Sequence, residues 1–149
     1  MFSDNTIRPL DGVRVLELGN YIAAPTAGRM LADFGAEVIK VERPKTGDEL
    51  RNWRLYSGDT SMLYRTINRN KKSIVLDLRT EEGRQLVLDL AAKCDILLEN
   101  FRPGTLEKWG IGPGRVERGQ SGPGDHPHLG VRADRADVAA PRVRRGRGG

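Results

Sequence analysis

The chain has 149 residues, 38% hydrophobic and 30% charged, with a formal net charge of +5, enough for one domain with a modest core. The charge is uneven: residues 1–112 hold 17 Lys+Arg against 16 Asp+Glu, and residues 113–149 hold 8 Arg against 4 acids. The basic balance therefore says little about the folded part and is weak support for a nucleic-acid partner. One cysteine, Cys94, excludes an internal disulfide and reads as a small buried residue ahead of a strand. The start, MFSDNTIRPLDG, lacks the basic-then-apolar pattern of a secretory signal, and no apolar run approaches the ~20 residues of a membrane span. The chain reads as cytoplasmic, with no membrane partner.

The first β-rich run is Val13–Leu18 (VRVLEL), bounded by Gly12 and Gly19. Pro25 suits the first turn of a helix over 25–34, where a missing N–H costs nothing. Ala27, Met30, Leu31 and Phe34 supply its apolar stripe, and Gly35 its C′ position. Val38–Val41 (VIKV) is the next strand, closing a strand–helix–strand unit of parallel type. Pro44–Thr60 is polar and glycine-punctuated and reads as a loop; Ser61–Ile67 reads as a short helix. Ser73–Leu78 (SIVLDL) is the third strand. Thr80 is the expected N-cap of a helix over 80–93, with Glu81 and Glu82 facing its dipole and Leu86, Leu90 and Ala91 on one face. Ile96–Leu98 is the fourth strand, and Pro103 leads another helix. The alternation predicts an α/β fold: a partial Rossmann-like open, mostly parallel sheet with flanking helices.

Residues 113–149 depart from this. They contain 8 Gly, 4 Pro and a single Leu, with no Ile, Phe, Tyr or Trp. Such a stretch offers too little apolar surface to offset chain entropy, and the expectation is a disordered Arg/Gly/Pro-rich C-terminal tail.

Open α/β sheets bind ligands at the carboxyl ends of their strands. GNYIAAPTAG follows the first strand; its small residues suit close ligand approach or helix–sheet packing equally well, and it is no G-x-G-x-x-G fingerprint. Val41–Pro44 (VERP) places Arg43 at the end of the second strand, either a phosphate-forking guanidinium or a solvated one. Asn70-Lys71-Lys72 precedes the third strand and reads as a solvated turn. Asn100-Phe101-Arg102-Pro103-Gly104 follows the fourth and offers a carboxamide, a ring and a helix-leading Pro-Gly as an adenine or phosphate shelf.

Taken together, PLDGVRVLELG, AAPTAGRMLADFGAEVIKVERP, NRNKKSIVLDLRTEEGR and CDILLENFRPGTLEKWGIGP resemble the N-terminal part of the class III coenzyme A transferases, the CaiB/BaiF family, in order and spacing. The resemblance implies coenzyme A contacts at Ile22 and Ala23, at Arg43, at Leu76, Asp77, Leu78 and Arg79, at Asn100, Phe101 and Arg102, and at Lys108. Ile22 stands where some members carry a polar residue, so it offers no side-chain hydrogen bond. The implied reaction moves coenzyme A from an acyl-CoA to a carboxylic acid through anhydride and thioester intermediates on an aspartate nucleophile. No metal or resident cofactor is implied; coenzyme A and acyl-CoA are substrates. Family members form interlinked homodimers through later parts of the chain. Their aspartate also lies downstream of the resemblance, so no catalytic residue is assigned in 1–112, and Asp125, Asp134 and Asp137 fall in unrelated sequence.

The resemblance stops at about Pro113. Read one nucleotide later in GC-rich codons, the tail allows L-S-A-A-N-P-G-L-V-T-T-R-I-S-G, which resembles the family's own continuation. The expected organisation is therefore an N-terminal part of the transferase large domain over 1–112 and an out-of-frame tail over 113–149. The expected product is a truncated, inactive coenzyme A transferase. Two other readings stay open: a fragment of an α-methylacyl-CoA racemase, which shares the fold but transfers protons, and a small basic nucleic-acid-binding protein using RVRRGRGG.

Overall fold

Short runs rich in Val, Leu and Ile pair most readily where both sheet faces can be covered, and here each run is followed by a helix that covers one. The computed structural model of the chain describes residues 8–53 and 55–112, and the backbone of 129–132. The elements are β1 (Arg14–Glu17), α1 (Ala23–Asp33), β2 (Glu37–Glu42), a 3-10 turn (Glu49–Asn52), a hairpin of β3 (Tyr56–Ser57) and β4 (Thr60–Ser61), α2 (Met62–Asn68), β5 (Lys71–Val75), α3 (Glu81–Ala91), β6 (Ile96–Glu99), α4 (Thr105–Lys108) and β7 (Leu129–Arg132). The main sheet runs β5-β2-β1-β6-β7 and every pair in it is parallel. All its carboxyl ends therefore lie along one edge.

Alternation along the strands splits the core in two. Leu16, Val41 and Leu97 pack with Val87 and Ala91 of α3 and with Leu106 and Ile111. Val15, Val38 and Leu98 pack with Ala24 and Ala32 of α1 and with Ala36. Each fully buried Val or Leu contributes about 1.5–3 kcal/mol.

The α/β architecture and the four runs expected to form parallel strands are present. Thr80 caps α3 as expected, its Oγ1 accepting from Gly83 N at 3.0 Å, and Gly35 ends α1 with φ +107°. Ser61 caps α2 by accepting from Tyr64 N.

Several boundaries and faces differ. β5 lies at Lys71–Val75 instead of 73–78. Asp77 starts the turn that ends it: its carbonyl accepts from Thr80 N, and its carboxylate accepts from Arg79 N at 3.0 Å. Leu76–Arg79 consequently form a loop at the carboxyl edge. The inward face of α1 is Ala24, Pro25, Gly28 and Ala32, while Met30 and Phe34 are exposed. Small residues win there because the helix sits close over the sheet. Leu86 of α3 is likewise exposed, with Gly83, Val87 and Ala91 buried. The expected loop 44–60 contains the 3-10 turn and the start of the hairpin, whose turn carries Gly58 at φ +65°.

The expectation for 113–149 lies outside the described residues apart from Leu129–Arg132. Those four pair in parallel with Ile96–Glu99 and extend the sheet. An open strand edge accepts any short β-compatible run, and no apolar core is needed for that. Among the described residues no helix is long and apolar enough to cross a membrane.

Candidate functional site at the carboxyl edge

The loop after β1 is built around a close approach. A Cβ at Gly19 would stand 2.2 Å from Ala24 Cβ and 2.7 Å from Asn100 Oδ1, so only glycine fits. Asn100, just past β6, binds both sides of one residue of that loop. Its Oδ1 accepts from Asn20 N at 3.0 Å and its Nδ2 donates to Asn20 O at 2.8 Å. Tyr21 then takes a left-handed conformation, φ +64°. Its N–H donates to Asp48 Oδ1 at 3.2 Å. Ile22 and Ala23 follow, both exposed, at the N-terminus of α1, which has no side-chain cap.

Arg43 leaves β2 with its side chain half exposed. Its guanidinium donates to Gly47 O and pairs with Glu49, which holds the second loop in shape. Leu76 N donates to Glu42 O at 3.0 Å, tying the third loop to the end of β2. Leu76 and Leu78 are partly buried against the core. The Asp77 carboxylate is forked by Arg79 at 2.9 and 2.8 Å, and that guanidinium holds its pKa down at about 2. Phe101 packs against the core and meets Trp109 edge-on, centroids 5.3 Å apart. Arg102 and Lys108 are exposed. Lys108 makes no side-chain hydrogen bond or ion pair with the other ten residues named from the sequence. Those ten occupy the four loops of one edge, and Lys108 stands on α4 beyond the last loop.

Beneath the edge lies a feature absent from the sequence reading. Lys40 of β2 and Glu17 of β1 are fully buried. Lys40 Nζ lies 2.9 Å from Glu17 Oε1, 2.9 Å from Gly19 O and 2.7 Å from Asp48 Oδ2. Lys71 Nζ meets Glu17 Oε2 at 2.8 Å, Pro25 O at 2.7 Å and Asn68 Oδ1 at 2.9 Å. Glu17 Oε2 and Asp48 Oδ2 make no directed hydrogen bond, and their ionic contacts satisfy them. Two carboxylates and two ammonium groups cancel in charge, which is the condition for keeping them buried. Burial pushes the Lys71 pKa down against the opposing pull of Glu17. The solvated turn expected at 70–72 thus holds for Lys72, which is exposed and pairs with Glu37, and fails for Lys71. A lysine and a glutamate inside otherwise apolar strands, VLEL and VIKV, were the available signal.

A third buried carboxylate, Glu42, supports the second loop. Burial alone would raise the pKa of Glu42. Bonds from Arg51, Ser73, Tyr64 and Asp48 N outweigh burial and hold it at about 2. Tyr64 is pushed upward by burial and by the same carboxylate. The 3-10 turn is thereby locked onto β2. Tyr21 and Trp53, both exposed, face each other at 6.2 Å on the rim.

Residues 10–120 match CoA-transferase family III. The chain is 57% identical over 114 residues to succinyl-CoA–D-citramalate CoA-transferase of Chloroflexus aurantiacus, covering 75% of this chain and 28% of that protein. It is 46% identical over 109 residues to succinyl-CoA:glutarate CoA-transferase of Homo sapiens, covering 72% and 25%. A solved CaiB/BaiF family protein from Brucella suis superposes with a TM-score of 0.70 at 41% identity, covering 75% of this chain and 31% of that one. The chain spans under a third of the length of each of these relatives.

Proposed function

Because the chain belongs to CoA-transferase family III, we propose that its carboxyl edge is the coenzyme A-binding edge of a succinyl-CoA:carboxylate coenzyme A transferase. The observation that carries this reading is that the loops after four parallel strands lie along one sheet edge, where Arg43, Arg79 and Arg102 follow three of the strands and the uncapped N-terminus of α1 follows the fourth. Guanidinium groups and a helix N-terminus both favour phosphate groups such as those of coenzyme A. Ile22, Ala23, Leu76, Leu78 and Phe101 supply apolar contact, and Asp77 orients Arg79. Lys108 would reach a phosphate from α4. The succinyl donor comes from the names of the relatives, as does a small carboxylic acid as acceptor.

In the parent reaction an aspartate carboxylate attacks the thioester carbonyl and expels the coenzyme A thiolate. That thiolate then attacks the aspartyl carbonyl of the anhydride and releases the donor acid. The acceptor carboxylate takes over the same cycle in reverse. Residues 1–112 carry the binding edge and not the nucleophile, and the sequence past about Pro113, most of it beyond the family match that ends at residue 120, is an out-of-frame continuation. The 149-residue chain is accordingly inactive.

The test is a transfer assay with succinyl-CoA and D-citramalate or glutarate, followed by mass spectrometry for an aspartyl-CoA adduct. The 149-residue chain gives neither product nor adduct. The gene with one nucleotide deleted near codon 114 gives both. Turnover by the 149-residue chain overturns the assignment of the chemistry to absent residues.

A further inference from the structure

Three side chains from three different segments grip three consecutive residues of the first loop. Lys40 Nζ donates to Gly19 O at 2.9 Å. Asn100 bonds both the N–H and the C=O of Asn20. Asp48 Oδ1 accepts from Tyr21 N at 3.2 Å and from Leu50 N at 2.9 Å, while its Oδ2 is held by Lys40. Tyr21 needs such restraint: a left-handed, non-glycine residue is strained and persists only when its surroundings impose it. Asp48 also joins this loop to the second one, since its own N–H donates to Glu42 Oε2 at 2.9 Å.

We propose that Asp48 and Asn100 are positioning residues that hold Gly19–Tyr21 in the conformation that receives coenzyme A, with Lys40 as their buried ionic hub. This rests on the reading of the edge as a coenzyme A site. It gives Asn100 a role through the loop in place of direct contact: its carboxamide is engaged at both ends by Asn20. Binding energy is then not spent on ordering the loop, which is how preorganisation raises affinity.

The experiment uses the full 149-residue chain as wild type, Asp48→Ala, Asn100→Ala, the double variant and Arg43→Ala. Amide hydrogen exchange is read at Asn20 and Tyr21, and coenzyme A is titrated calorimetrically. Asp48→Ala and Asn100→Ala each speed exchange at these amides by about tenfold, while β1 and β2 amides keep their protection. Each weakens coenzyme A by about fivefold, and the double variant loses less than the product because both act through one loop. Arg43→Ala weakens coenzyme A with loop exchange unchanged. Unchanged loop exchange in the variants, or faster exchange with full affinity, overturns the positioning role. Should Asp48→Ala fail to fold, Asn100→Ala, which lies outside the buried ionic group, decides alone. Absence of binding by wild type overturns instead the reading of the site, and the exchange data still report whether the loop is held.

Discussion

Glu42 shows how one side chain can set the acid limit of a fold. Its carboxylate accepts from Arg51, Tyr64, Ser73 and the backbone of Asp48, and its pKa lies at about 2 against an ordinary 4.5. A depressed carboxylate stabilises the fold fully above its unfolded pKa, and that contribution is lost as pH falls through the folded value. The shift corresponds to on the order of 3 kcal/mol, present at neutral pH and dissipated between about pH 4.5 and 2. Glu42→Gln removes it. Urea unfolding should show wild type more stable by roughly that amount at neutral pH, the gap narrowing steadily below about pH 4.5. A gap that stays constant down to about pH 2 would contradict the account. At this scale the sequence was legible where geometry is local, as in the Thr80 cap. Glu17, Lys40 and Asp48 were illegible because the bonds Lys40–Glu17, Lys40–Gly19 and Tyr21–Asp48 span 23, 21 and 27 residues, and the Lys40–Asp48 pair joins a strand to a loop. Charge in a strand does not say which face or neighbour will neutralise it.

At the scale of elements, α1 and β1 meet through a glycine and a charge. A Cβ at Gly28 would lie 1.9 Å from Glu17 Oε2 and 3.3 Å from Lys71 Nζ. Helix propensity alone favours Gly28→Ala by about 1 kcal/mol. The clash acts on a buried carboxylate that cannot move without breaking its ion pairs to Lys40 and Lys71, so it wins. Gly28→Ala should lower stability by about 2 kcal/mol or more, read as a fall in melting temperature. A rise in melting temperature would mean that α1 can lift off the sheet freely. The same contact explains why α1 was readable as a helix and misread in its facing. The stripe Ala27, Met30, Leu31, Phe34 has helical period, and Ala27 and Leu31 pack against the core, but the fully buried face is Ala24, Pro25, Gly28 and Ala32, and Met30 and Phe34 are exposed. β5 starts earlier than expected, with Lys71 held by Glu17 of β1, Pro25 O of α1 and Asn68 of α2, and Asp77 turns the chain before Leu78.

Across the molecule, strand–helix alternation was enough to foresee a parallel sheet with one ligand edge, because parallel strands need crossovers and crossovers bring all carboxyl ends together. The strand order and β7 were not legible: order depends on long-range packing, and β7 pairs in parallel at the β6 edge of the sheet, 30 or more residues from its partner strand. The central claim, that this edge holds coenzyme A, is tested most directly by titrating coenzyme A into the isotope-labelled 149-residue chain and following its amide resonances. The account predicts shifts at residues 19–23, 43, 76–79 and 100–102, with affinity about tenfold weaker in Arg43→Ala. Shifts gathered instead at the amino edge, around Val13, Ala36, Asn70 and Asp95, or none at about 1 mM coenzyme A, would contradict it.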